Sequence, residues 1–125
     1  MQLAESGEMY LEAILVLEKR GRPVRSIDVV EYLSVSKPSV SRAVGLLREG
    51  GYLTYDENKL LRLTEKGRVL AEKIYERHTV LSSFLRRLNV PDEIAAEDAC
   101  RIEHDISDCS LQAIKALLER MPEEL

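Results

Sequence analysis

Cys100, Glu103 and His104 occupy positions i, i+3 and i+4 of a segment whose apolar spacing predicts a helix from about Pro91 to Ile106. At about 100° per residue these positions share one face, so a thiolate, a carboxylate and an imidazole converge without a loop folding around them. Such a trio suits a divalent transition ion, whose capture displaces the thiol proton and selects the neutral imidazole. The same residues also admit a plainer reading, with Cys100 as a small core residue beside a solvated acid and histidine. Further donors stand elsewhere: Met9 and Glu12, spaced i, i+3 in the first helix, and His78 in the fourth. If the three helices meet, there are donors enough for one ion, or for two ions sharing Glu12 or Glu103. Taken singly, Met9 is ordinarily core filler, Glu12 a surface acid and His78 a half-buried polar residue.

A second set of residues suits a polyanion. Ser26 reads as the N-cap of a helix over Ile27 to Leu33, and Ser36 as the cap of the next, which opens with Lys37-Pro38. Only Ser34-Val35 separates them, so the two form a helix-turn-helix corner. Val40, Val44 and Leu47 mark the packed face of the second helix, leaving Lys37, Ser39, Ser41 and Arg42 mostly off it. Ser36, Pro38, Ser39, Ser41 and Arg42 are types that contact thymine methyls, base edges and phosphates in a major groove. The helix N-terminus from Ser36 to Ser39 points amides at a phosphate. Arg25, Lys59 and Arg62 are candidate outer phosphate contacts, with Ser26 beside them. Helix-turn-helix corners also occur in proteins that bind no DNA.

The elements that must position these residues follow from the spacing. Tyr10, Ala13, Ile14 and Leu17 predict a first helix starting near Ser6 or Glu8 and ended by Gly21 and Pro23. Gly50-Gly51 closes the third helix, and Tyr52 to Tyr55 with Leu60 to Leu63 predicts a short hairpin, a wing. Thr64 caps a long fourth helix with Val69, Leu70, Ile74, Leu81, Phe84 and Leu88 on its apolar stripe. Ser107 caps a sixth helix whose Leu111, Ile114, Leu118 and Met121 suit a dimer seam. The expected architecture is mainly α. A winged helix-turn-helix DNA-binding domain fills residues 1–72, and a helical metal-binding and dimerisation domain fills residues 73–125, with the fourth helix shared.

Composition narrows the field. The 125 residues are 45% hydrophobic and 32% charged, with six Gly and four Pro, which disfavours a disordered chain and a turn-rich β-sandwich. A TIM barrel or a full dinucleotide fold needs more chain. The net charge is −4, but Ser34 to Ile74 holds eight Lys/Arg against five acids, while Glu76 to Leu125 holds six against eleven. A local basic face serves phosphates whatever the total, since charges are felt over about 8 Å at physiological salt. No apolar run approaches the ~18 residues of a membrane span, and Met1 to Ser6 lacks signal-peptide blocks, so a cytoplasmic protein with no membrane partner is expected. A reducing compartment leaves Cys100 and Cys109 as thiols or ligands rather than a disulfide.

The order of elements carries Met9-Tyr10-Leu11-Glu12, Ser36-Lys37-Pro38-Ser39-Val40-Ser41, Leu63-Thr64-Glu65-Lys66-Gly67, Arg77-His78 and Asp98-Ala99-Cys100-Arg101-Ile102-Glu103-His104-Asp105-Ile106-Ser107. Together these resemble the diphtheria toxin repressor family of metal-dependent transcriptional regulators, over nearly the whole chain. The resemblance implies a homodimeric repressor that binds a palindromic double-stranded operator when loaded with Fe²⁺ or Mn²⁺ and controls metal uptake genes. It implies no enzyme and no small-molecule substrate. Met9, Cys100, Glu103 and His104 match the primary site of the family's iron-responsive branch, whereas Glu12 and His78 match ligands of its manganese-responsive branch. The sequence departs from both: the manganese branch has acids at the positions of Met9 and Cys100, and the iron branch's ancillary site has His at Ala96 and Glu at Ser82. The third, SH3-like domain of longer iron regulators is not expected, as in the short manganese-type members.

Thioether and thiolate donors favour Fe²⁺, Co²⁺, Ni²⁺ or Zn²⁺ over Mn²⁺, so iron is expected ahead of manganese, with the other three able to substitute in vitro. The alternative from the same class is a winged-helix regulator sensing a thiol oxidant or an organic ligand through Cys100. A zinc or thiol enzyme using Cys100 and His104 is disfavoured, because packed helices leave little room for a substrate pocket.

Overall fold

The computed structural model describes residues 5–121. Six helices and one hairpin follow in the order α1 (Glu5–Lys19), α2 (Ser26–Leu33), α3 (Lys37–Glu49), β1 (Leu53–Tyr55), β2 (Leu61–Leu63), α4 (Glu65–Arg87), α5 (Asp92–Ile102) and α6 (Asp108–Arg120). The chain divides into two compact units, the first ending at Glu72 and the second beginning at Lys73. Among the described residues no helix is long and apolar enough to cross a membrane.

In the first unit α1 is the central element, packed by α2, α3 and β2. That is why it buries more than one stripe: Tyr10, Leu11, Ala13, Ile14, Leu15 and Leu17 are all inside. Val29 of α2 and Val40, Val44 and Leu47 of α3 close over them. The turn between α2 and α3 passes through Ser34 in the left-handed region (φ 55°). Ser36 then caps α3 by accepting the Ser39 N–H at 3.2 Å, with Pro38 in the first turn where it displaces no helix bond. The α2 cap differs from expectation. Ser26 is already helical, Arg25 holds the N-cap position, and the Asp28 carboxylate accepts the Arg25 N–H at 2.8 Å. An acid three residues into the helix thus does the capping that a serine at position 26 was expected to do.

The hairpin pairs Leu53 with Leu63, Thr54 with Arg62 and Tyr55 with Leu61, one residue shorter per strand than the spacing suggests. Its turn is organised by Asp56, whose Oδ1 accepts the N–H groups of Asn58 (2.8 Å) and Leu60 (3.0 Å). These bonds, led by the one from Leu60, hold the Asp56 carboxyl below its ordinary value. Thr64 caps α4, accepting the Gly67 N–H at 3.1 Å and donating to the Gly51 carbonyl at 2.6 Å. Gly67 is required here: a Cβ would lie 2.0 Å from the Tyr52 carbonyl oxygen.

The second unit is smaller inside. Val80 and Leu81 of α4, Ala99 of α5 and Leu111 of α6 form its core, with Ile106, Ile114 and Leu118 packed against it. Two expected members of the α4 stripe are not in the core. Val69 is 65% exposed because it lies on the far side of the helix from Ile74, and Leu88 falls beyond the end of α4 at 51% exposed.

Candidate metal centre and nucleic-acid interface

Helix α5 starts after Pro91 and packs through Ala95 and Ala99, whose small side chains allow close approach. It ends at Ile102, earlier than the expected Ile106, because Ser107 already caps α6 and the chain must turn in between. Glu103 closes α5 with helical dihedrals (φ −59°, ψ −26°), its N–H donating to the Ala99 carbonyl at 2.9 Å. The i, i+3 relation of Cys100 to Glu103 therefore survives, whereas His104 already lies in the turn.

The residue that joins Cys100 and Glu103 is His78 of α4. Ligand atoms of His78, Cys100 and Glu103 all lie within 4.8 Å of one another, and all three residues belong to the second unit. His78 Nδ1 is 2.8 Å from Glu103 Oε2. Glu103 is 1% exposed, and its Oε1 is buried without a hydrogen-bond partner, with His104 Nε2 at 3.4 Å. A carboxylate with one oxygen left unsatisfied in the interior is costly unless a cation or donor meets it. The donor set fits a divalent transition ion: one nitrogen, one sulfur and one oxygen converge, the sulfur at the exposed edge and the carboxylate at the buried end. Met9 (37% exposed) and Glu12 (half-buried) sit one turn apart on α1, in the first unit. Met9 is thus not core filler.

Arg77 was not singled out by spacing. Its Nη1 donates to the carbonyls of Glu103 (3.0 Å) and Ile106 (2.7 Å), and its Nη2 pairs with Asp108. Only its place in the Arg77-His78 pair hinted at importance, and nothing in that dipeptide points to residues 103–108. The hydrogen bond from Arg77, followed by the charge of Lys73, holds the Asp108 carboxyl below its ordinary value.

On the first unit Ser36, Lys37, Pro38, Ser39, Ser41 and Arg42 are all exposed, on or just before α3. Lys37 and Ser41, one turn apart, share a recess with Ser26, Ile27 and Val30 of α2. Ser39 and Arg42 line the opposite side of α3, beside Tyr10 of α1. Arg25, Lys59 and Arg62 are exposed. Two expectations change in detail. The start of α3 offers fewer free amides, since Pro38 has none, the Ser39 N–H is taken by Ser36 and the Val40 N–H by the Ser36 carbonyl at 3.1 Å. Arg62 is already paired with Asp56 at 3.1 Å, which reduces its charge toward a phosphate.

A winged helix-turn-helix with an exposed basic helix, followed by a helical unit gathering nitrogen, sulfur and oxygen donors, defines the class of metal-responsive transcriptional regulators. The chain belongs to the iron-dependent repressor family: residues 2–61 match its N-terminal DNA binding domain and residues 64–124 its metal binding and dimerisation domain. It is 36% identical over 118 residues to the HTH-type transcriptional regulator MntR of Lysinibacillus sphaericus, covering 94% of this chain and 85% of that protein. It is 33% identical over 119 residues to the diphtheria toxin repressor of Corynebacterium jeikeium, covering 94% of this chain and 50% of the repressor. The structure of the manganese regulator SloR matches with a TM-score of 0.81 at 30% identity, over 95% of this chain and 55% of SloR. The chain thus spans about half the length of the last two. The family is one of transcriptional regulators, not enzymes, and its metal dependence does not favour a thiol-sensing role for Cys100.

Proposed function

We propose that this protein is a cytoplasmic, homodimeric repressor that grips a palindromic operator when loaded with Fe²⁺ or Mn²⁺ and so controls metal uptake genes. Residues 1–72 read DNA, and residues 73–125 bind metal and dimerise. The observation that carries the reading is the buried Glu103 carboxylate, one oxygen on His78 and the other without a hydrogen bond, beside the Cys100 thiol. His78, Cys100 and Glu103 would hold the ion, with His104 adjacent. Met9 and Glu12 enter as remaining donors on their spacing in α1 and the family's ligand pattern. The bound ion supplies positive charge that offsets the carboxylates and the thiolate, and the chain's part is to fix those donors and exclude water from Glu103. The softer donors favour Fe²⁺ over Mn²⁺.

On the DNA side, Pro38, Ser39, Ser41 and Arg42 face base edges. Lys37, Ser36, Arg25, Ser26, Lys59 and Arg62 face the backbone. Two reading heads about 34 Å apart, or a multiple, use successive major grooves on one face. The test is a metal titration of the full chain beside its Cys100→Ser and Glu103→Ala variants. Both variants should lose affinity for Co²⁺ and keep their helix content. Affinities equal to that of the unaltered protein would remove this cluster from the metal centre.

A further inference from the structure

We infer that Arg77 is a positioning residue for the metal centre, holding the turn that carries Glu103 and His104 by its backbone. The last carbonyls of a helix have no partner within it, and a cation there is favoured by the helix dipole. The Arg77 guanidinium meets both needs at the Glu103 carbonyl, which ends α5, and donates as well to the carbonyl of Ile106, just before the Ser107 cap of α6. Its side chain is 13% exposed, and its ion pair with Asp108 fixes the planar group from the third side. Arg77 directly precedes His78 on α4. One side chain therefore ties the backbone of Glu103 to the helix that carries the histidine bonded to the Glu103 carboxylate. Without it the turn is free to move, and the separation of nitrogen and oxygen donors moves with it.

Arg87 offers a built-in comparison. Its Nη1 donates to the carbonyls of Leu118 (2.9 Å) and Met121 (3.2 Å) at the end of α6, the same capping chemistry at the far end of a helix that carries none of the cluster. A purely structural role predicts that losing either arginine does the same thing. The positioning role predicts that they differ.

The inference rests on the metal-centre reading, and the experiment separates the two. Co²⁺ is titrated into the full chain and followed by thiolate absorption, for the unaltered protein, Arg77→Ala, Arg77→Lys and Arg87→Ala. Amide exchange of residues 103–107 is measured in each without metal. Removal of a residue that orients ligands weakens binding by about 10- to 100-fold. That loss is expected for Arg77→Ala, with faster exchange in the turn and partial recovery in Arg77→Lys, which keeps one donor. Arg87→Ala should bind within about twofold of the unaltered protein, even if its melting temperature falls as far. Unchanged Co²⁺ affinity in Arg77→Ala, or an equal loss in Arg87→Ala, overturns the positioning role and leaves the metal centre standing. No thiolate absorption in the unaltered protein overturns both. Should Arg77→Ala not fold, Arg77→Lys against Arg87→Ala decides by the same criterion.

Discussion

The two units are stabilised by different means. The first buries whole side chains from five elements around α1, with Leu11 and Ile14 at 0% exposure. The second buries Ile74, Val80 and Leu81 of α4, Ala95 and Ala99 of α5 and Leu111 of α6, and gives buried space to the Glu103 carboxylate. Both units leave large apolar side chains exposed, Leu46 and Val69 of the first at 62% and 65%, and Leu88, Ile94, Ile102 and Leu117 of the second between 38% and 51%. A unit with so little apolar interior gains much from anything that binds only its folded form, be it an ion or a second copy. On that difference, the first unit is expected to keep its shape and the second to respond most to a bound ion.

Substitution in the first core should have the largest effect. Ile14→Ala is expected to cost about 2–5 kcal/mol in a denaturant melt. Leu117→Ala in the second unit should stay within about 0.5 kcal/mol for the dilute chain and act on self-association instead. Similar losses in both would erase the contrast. Next comes the ion itself: loading at a hundredfold excess over Kd should stabilise the protein by about 2.7 kcal/mol. Amide exchange should slow in residues 73–121 far more than in residues 5–72, and uniform slowing would show that the units do not differ.

Arg42→Ala should weaken operator binding by about 1–3 kcal/mol and leave Co²⁺ affinity unchanged, whereas Lys37→Ala should lower the salt slope by about one. Loss of metal binding in either would blur the division of labour. The smallest effect is acid sensitivity. Asp108 has its folded value held below 3.8, so its contribution is complete above that pH and fades as pH falls through the lower folded value. Asp108→Asn should therefore lower stability slightly at pH 7 and flatten the acid limb below about pH 4, its difference from the unaltered protein closing as pH falls. The reverse pattern would mean that its pairing with Arg77 and Lys73 is immaterial.

Much of this arrangement is legible in sequence where the determinants are local. The caps at Ser36, Thr64 and Ser107, the Gly-terminated α3 and the wing follow from residues within a few positions of each boundary. What was not legible is set by longer reach. Spacing along α5 puts Cys100, Glu103 and His104 in one group, but the end of that helix depends on where α6 begins, and His104 lies in the turn rather than the helix. His78, a donor by type in the sequence, meets Glu103 through a contact spanning 25 residues, which no periodicity encodes, while His104 Nε2 stays 3.4 Å from Glu103 Oε1. Arg77 is hidden for the same reason, since its partners are backbone carbonyls and carry no side-chain signature. Arg25 displaces Ser26 at the α2 cap because an acid at position 28 competes for the same role.

Operator affinity at one fixed salt concentration, with and without Fe²⁺ or Mn²⁺, tests the link between the two units most directly. A coupling of about 1–3 kcal/mol corresponds to a 5- to 150-fold gain on loading, and that gain should vanish in Glu103→Ala while the metal-free affinity stays as it was. Equal affinity in the loaded and metal-free protein would contradict metal control of DNA binding outright.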